Sequence, residues 1–159
     1  MDNVNVIRTG FFAPDFSLPD ARGDIFHLKD NLRDKFICLC FFPDGGNEKA
    51  NNCLKELNQG LPKTPAGLPV DVVGICPERI SHVAQLRERL KLAFPILADD
   101  RLAVATKYHL VNTSSAKPAV YFSVFVIDDT NLVRYRASEI PGLSKYSFDE
   151  LKSEIAKLI

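Results

Sequence analysis

Phe36-Ile37-Cys38-Leu39-Cys40-Phe41-Phe42 is an unbroken apolar run, closed by Pro43-Asp44-Gly45-Gly46 and followed at once by a helical pattern. An apolar run without alternation suits a strand covered on both faces, and the Pro, Asp and Gly residues that follow carry turn chemistry. Asn47 stands where a helix N-cap belongs, Glu48 falls in the first turn, and Ala50, Leu54, Leu57 and Leu61 recur at helical spacing. The stretch Lys35–Leu61 therefore reads as a buried strand running through a turn into a helix. The unpaired amides and the dipole at such a helix start favour negative charge, which makes it a natural place for an anion or a thiolate.

Working outward, Phe11–Leu28 suits an extended lead-in and a short hairpin, with Arg22-Gly23-Asp24 as the turn and Ile25, Phe26 and Leu28 on the return strand. His27 alternates away from Phe26 and Leu28 and reads as a surface residue. Beyond the central helix, Gly60–Pro69 is a loop, Val70–Ile75 a second buried strand, and Cys76-Pro77 its close. Pro77 suits the first turn of a helix through about Leu92, with Ile80, Val83, Ala84 and Leu90 on its apolar face. His82, Arg87 and Arg89 fall on its polar side. Phe94–Leu97 is a short apolar segment, and Asp99-Asp100 precede a helix through about Tyr108. Ala119–Ile127 predicts one long strand. Asp128-Asp129-Thr130-Asn131 turns it into Leu132–Arg136 as a hairpin. Ser147-Phe148-Asp149-Glu150 has the form of a capping box, ahead of a C-terminal helix striped by Phe148, Leu151, Ile155 and Leu158.

Strands alternating with helices predict an α/β fold: a central, mostly parallel sheet, an antiparallel edge hairpin, and helices on both faces. The length of 159 residues predicts a single domain over 1–159, and 46% hydrophobic with 25% charged residues are ordinary globular values. Twenty basic residues balance 20 acidic ones, so no excess positive charge draws the chain to nucleic acid or an anionic membrane. Near-zero net charge is compatible with a homodimer. Met1–Gly10 lacks the pattern of a signal peptide and no apolar run approaches membrane-spanning length, which predicts a cytoplasmic protein. Cysteines 38, 40, 53 and 76 form neither a CxxC pair nor a metal-ligand spacing, and no metal or cofactor is expected. Cys38 and Cys40 share one side of their strand and read as small core hydrophobes.

Four segments, in this order, resemble the peroxiredoxins (the alkyl hydroperoxide reductase/thiol-specific antioxidant, AhpC/TSA, family). They are Ala13-Pro14-Asp15-Phe16-Ser17-Leu18-Pro19-Asp20, the strand end Phe41-Phe42-Pro43, Val72-Val73-Gly74-Ile75-Cys76-Pro77-Glu78, and Val124-Phe125-Val126-Ile127-Asp128. The resemblance spans Thr9 to Gly142 and implies a thioredoxin-like fold. It also implies a thiol-dependent antioxidant chemistry, recycled by a thiol reductant such as a thioredoxin-like protein. Members read Pro-x-x-x-Thr-x-x-Cys, the Cys attacking peroxide. Counted from Pro43, Asn47 stands at the Thr and Ala50 at the Cys, while Phe122 takes the place of a thiolate-stabilising Arg and Val124 that of a second Thr. A three-residue insertion would instead bring Cys53 to the reactive position. It would put Ala50 at the Thr and gain nothing else. With Ala50 in the reactive position, Leu54, Leu57 and Leu61 fall where family helices place their core residues and Cys53 sits one turn inside, so the ungapped register is preferred.

The candidate site is therefore Cys53, with Pro43 and Asn47 beside it and Cys76 as a resolving thiol. Cys76 ends a strand at the sheet edge where the helix begins, within reach of the Cα separation of about 4.4–6.8 Å that a disulfide requires. Cys53 also extends the apolar stripe of its helix, and Cys76 also reads as a packed strand end. Lys49 and Lys117 are candidate substitute cations. Three readings stay open. One is a redox protein with an altered site working through Cys53, with family-type peroxidase turnover in question. The second is a redox-inactive thioredoxin-fold binding or dimerisation module, and the third a small-molecule pocket without chemistry.

Overall fold

The computed structural model describes residues 7–44, 46–114, 116 and 118–159. Gly45 of the expected turn, Lys117, and the first six residues of the Met1–Gly10 stretch lie outside the described residues. A lead-in hairpin, β1 (Ser17–Pro19) with β2 (Ile25–His27), opens the chain. Then come β3 (Phe36–Phe41), α1 (Glu48–Leu57), β4 (Val70–Cys76), α2 (Ile80–Leu90), β5 (Ile96–Ala98) and α3 (Ala103–Lys107). A small ribbon, β6 (Val111–Asn112) with β7 (Ala119–Val120), precedes β8 (Ser123–Ile127), β9 (Val133–Ser138) and α4 (Phe148–Ile155).

The main sheet has the order β5-β4-β3-β8-β9. β3 pairs parallel with β4 and β4 with β5, whereas β8 runs antiparallel to both β3 and β9. Four strands thus share one direction, and β8 with β9 is the expected antiparallel hairpin. Every residue of β3 is buried, and its two faces feed two cores. Phe36, Cys38 and Cys40 pack with Leu54 and Leu57 of α1, Val83 and Leu86 of α2, and Leu151 and Ile155 of α4. Ile37, Leu39 and Phe41 pack with Val104 and Ala105 of α3 and with Phe16 and Leu18 of the lead-in. Cover on both faces is why the run shows no polar alternation. Among the described residues no helix is long and apolar enough to cross a membrane.

Several expected boundaries move, each for a local reason. α1 stops at Leu57 and not Leu61: Asn58 caps it, and Gly60 turns the chain at φ +94. Leu61 still packs against the α1 core from the loop. The second helix starts at Ile80, three residues after Pro77, and ends at Leu90 where Lys91 turns left-handed. Ile80 is 37% exposed, and Leu86 takes the burial expected of it. Arg87 is no freely solvated side chain, since its Nε and Nη2 donate to the carbonyls of Phe94 and Ala93.

The expected strand Ala119–Ile127 is two strands, broken at Tyr121-Phe122. There Tyr121 N–H donates to Leu110 O, and Glu139 N–H donates to Phe122 O, each at 2.9 Å. Ile25 lies 54% exposed because its hairpin is a two-stranded ribbon. In the third helix, the buried Asp99 carboxylate accepts the N–H groups of Val104 and Ala105, so the acidic start acts as a cap. At α4, Ser147 Oγ accepts from Glu150 N–H, while the Glu150 carboxylate accepts Tyr135 Oη–H at 3.0 Å.

The carboxyl ends of β3, β4, β5 and β9 meet the start of β8 at one edge of the sheet. Pro43, Cys76, Asp99, Glu139 and Phe122 all stand at or next to that edge. α1 begins there as well.

Candidate functional site

Asn47 has extended backbone angles, and its Oδ1 accepts Ala50 N–H at 2.9 Å, which satisfies one of the orphan amides of the first turn. Ala50 is 2% exposed, and its face of α1 continues inward through Leu54 and Leu57. Cys53 sits one turn further on, on the flank of that face, and is half-buried. Across from it, Phe122 packs edge-to-face on Tyr146 with centroids 5.5 Å apart. Tyr146 Oη–H donates to Glu56 Oε1 at 3.2 Å, and Lys49 Nζ meets Glu139 Oε1 at 3.3 Å. These side chains wall a cleft of about 740 Å³ that also takes in Pro43 and Asn47.

The structure thus brings Pro43, Asn47, Ala50, Cys53 and Phe122 together around one cleft, and Cys76 does not line it. Cys76 is fully buried, and its thiol donates to Glu78 Oε2 at 3.4 Å; Glu78 in turn pairs with His82 Nδ1 at 3.2 Å. All four cysteines are free thiols, with Cys38 and Cys40 fully buried in the core.

Every sulfur is held in its neutral form. Burial pushes Cys53 up to about 11, the Glu56 carboxylate adds to this, Lys49 opposes it, and Glu139 adds a little more. Lys49 reaches the thiol, and burial with two carboxylates outweighs it. Cys76 is raised further, by burial first and then by Glu78. Cys38 is pushed up to about 12 by burial alone. A thiolate nucleophile needs the reverse setting, a nearby cation or an open helix start aimed at sulfur. Here the Ala50 N–H at the α1 start is taken by Asn47 Oδ1, and the side chain at that position is a methyl group. Across the cleft stands the phenyl ring of Phe122.

Sequence reasoning missed Glu56, Tyr146 and Glu139. Glu56 was within reach, since it lies three residues after Cys53 on the same helix face. Tyr146 and Glu139 arrive from 90 positions away along the chain and leave no local signal.

The sequence profile described as the AhpC/TSA family matches residues 9–136, most of the chain. The chain belongs to the AhpC/TSA family of peroxiredoxins. A Mycobacterium tuberculosis protein that carries a peroxiredoxin name is 29% identical over 134 residues, covering 81% of this chain and 83% of that one. Peroxiredoxin Bcp of Escherichia coli is 25% identical over 130 residues, covering 79% and 81%. Among solved structures, peroxidoxin BcpB from Mycobacterium tuberculosis superimposes with a TM-score of 0.78 at 24% identity, covering 94% of this chain and 96% of that one. A peroxiredoxin-like protein from Aquifex aeolicus gives the same TM-score at 16% identity, covering 94% and 86%. At those identities the structural matches establish the thioredoxin-like fold of this peroxiredoxin-family chain and leave its chemistry to its own residues. Among the described residues, no group of three or more His, Cys, Asp or Glu side chains is placed to hold a metal ion.

Proposed function

We propose that this is a peroxiredoxin-family protein with an altered site, in which fast peroxide reduction has given way to binding at the α1 cleft around a protonated thiol. The observation that carries this reading is the setting of Cys53. It is the one cysteine among the described residues that is not buried, Glu56 and Glu139 raise its pKa, and the Phe122 ring lines the same cleft. With a pKa of about 11, only on the order of one molecule in ten thousand carries the thiolate at pH 7. Asn47 and Ala50 hold the helix start closed, with no sulfur in its first turn. A cleft of about 740 Å³ with aromatic walls and a few charged groups has the character of a small-molecule or docking site.

The test is hydrogen peroxide consumption with a dithiol reductant, comparing the natural chain with Cys53→Ser. Both are expected at the background rate. Brisk turnover that disappears in Cys53→Ser overturns the proposal and restores Cys53 to the attacking position.

A second reading is slow thiol–disulfide exchange through Cys53, with Cys76 or a thioredoxin-like reductant closing the cycle. The partial exposure of Cys53 favours it. Free thiols suit a reducing compartment such as the cytoplasm. A homodimer joined across the cleft is the docking variant of the first reading, and sedimentation at increasing concentration tests it.

A further inference from the structure

A second cluster lies away from the α1 cleft, on the β9 edge of the sheet. Arg134 sits at the irregularity in the β8–β9 register, between Val133 of one core and Tyr135 of the other, and Arg136 pairs across from Phe125 two residues on. The chain before the lead-in hairpin crosses this edge: Gly10 N–H donates to Val133 O at 2.8 Å, and Val133 N–H donates to Phe11 O at 2.9 Å. That pairing sets Arg8 beside the other two arginines. Arg8, Arg134 and Arg136 line a cleft of about 560 Å³ together with Tyr135, Leu143 and Glu154.

The charges in this cleft do not balance. Of the three guanidinium groups, Arg134 is paired with Asp128, and Glu154, the carboxylate that lines the cleft, is itself paired with Lys157 at 3.4 Å. Arg134 gives Nη1 to Asp128 and Nη2 to Ile159 O, each at 3.1 Å. Arg136 gives Nη1 to Ile7 O, but its Nε is buried and has no hydrogen-bond partner among the described residues. Neither Arg8 nor Arg136 forms an ion pair among the described residues. Burial, and then the like charge of Arg8, push the Arg136 guanidinium below its ordinary value. A buried donor without an acceptor, next to an unneutralised like charge, is a costly arrangement that an anion would relieve.

We infer that this cleft binds the phosphate group of a small phosphorylated molecule. A tetrahedral dianion offers several acceptors to planar guanidinium forks and matches the two charges, Arg8 and Arg136, that have no ion pair among the described residues, whereas a single carboxylate neutralises one. Tyr135 and Leu143 supply an apolar wall for whatever body the phosphate carries, and the volume lies in the range of small-molecule sites. The site shares no residue with the α1 cleft, so it stands or falls independently of the thiol chemistry.

The test is calorimetric titration of the full chain at constant ionic strength, with inorganic phosphate as one probe and adenosine 5′-monophosphate as the other. Saturable binding of at least one probe is expected, weakened about tenfold or more in Arg8→Gln and in Arg136→Gln. Arg101→Gln, which removes the same charge from an exposed position before α3, should bind like the natural chain. Arg8 lies exposed on the crossing segment, so its variant decides the matter if Arg136→Gln does not fold. Tighter binding of the nucleotide than of the bare anion extends the site to the body of the ligand, and equal binding confines it to the phosphate. Absence of saturable binding by both probes overturns the inference, as does equal weakening in all three variants.

Discussion

Strand β8 joins two polar settings that handle negative charge in opposite ways. At its C-terminal end, Asp128 is 4% exposed, yet it is well supplied with donors. Its Oδ1 accepts Thr130 N–H at 2.8 Å, Thr130 Oγ1–H at 2.7 Å and Leu132 N–H at 3.0 Å, while Oδ2 meets Arg134 Nη1 at 3.1 Å. Burial alone would raise its pKa, but these donors outweigh it and hold the carboxyl below its ordinary value. At the N-terminal end, the Phe122 ring packs on Tyr146, and the Cys53 thiol that shares their cleft is pushed up to about 11. Asp128 is shielded from water and Cys53 half-shielded. What separates them is the supply of donors, so the fold and the chemistry at its carboxyl edge can be lost or kept separately.

The sharpest way to break this contrast is to remove the carboxylate that is well served. Asp128→Ala leaves three donors and Arg134 facing a void, and should cost about 3 kcal/mol of unfolding free energy in a denaturant titration, a factor of more than a hundred in the equilibrium. The pH dependence follows from the sign of the shift. A carboxyl held below its unfolded value of 3.8 contributes fully above that pH and loses its contribution as pH falls through the folded value. Asp128→Asn should therefore lose less stability than the natural chain between about pH 4 and pH 2. An identical acid limb in both proteins would show that the four contacts hold no charge.

The reverse experiment adds a cation beside the thiol. Phe122→Arg places a guanidinium opposite Cys53, between Glu56 and Glu139. Alkylation of Cys53 in the natural chain should accelerate about tenfold per pH unit and reach half its limiting rate near pH 11. In Phe122→Arg that midpoint should fall by about one unit, a tenfold gain in labelling rate at pH 8. No movement of the midpoint would mean that burial of Cys53, and not the lack of a cation, governs its state.

The same contrast explains which parts were legible in the sequence. The run Phe36–Phe42 announces a doubly covered strand because each of its residues is apolar, and burial on both faces follows directly. Asn47 announces a helix start because its short amide caps locally, three residues from its partner. Asp128-Asp129-Thr130-Asn131 announces a turn for the same reason, since its side chain bonds the backbone two and four residues on. The break at Tyr121-Phe122 is invisible, because Leu110 and Glu139 impose it from other parts of the chain. The two arginines of β9 can be read as strand neighbours, yet their meeting with Arg8 depends on a segment more than 120 residues upstream. Local chemistry is legible and convergence is not. The α1 cleft is built by convergence, from α1, the Phe122 break, the Glu139 end of β9 and the Tyr146 loop.

The smallest expected effect tests whether Asn47 belongs to the chemistry or only to the helix. Its Oδ1 bond to Ala50 N–H fully explains its presence as a cap, and it is exposed. Asn47→Ala should cost about 1 kcal/mol of stability, and Asn47→Asp should cost little, because an aspartate caps equally well and suits the dipole at the helix start. A capping residue acts through the backbone, so neither substitution should move the midpoint of Cys53 labelling by more than the added charge requires. That charge sets the sign: the carboxylate of Asn47→Asp repels a thiolate and can only raise the midpoint, whereas Asn47→Ala, with no charge, should leave it near 11. If Asn47→Ala instead raised the midpoint clearly while stability stayed unchanged, the amide would be donating to the sulfur. The start of α1 would then still hold part of an anion site, and the distinction between the two ends of β8 would be one of degree.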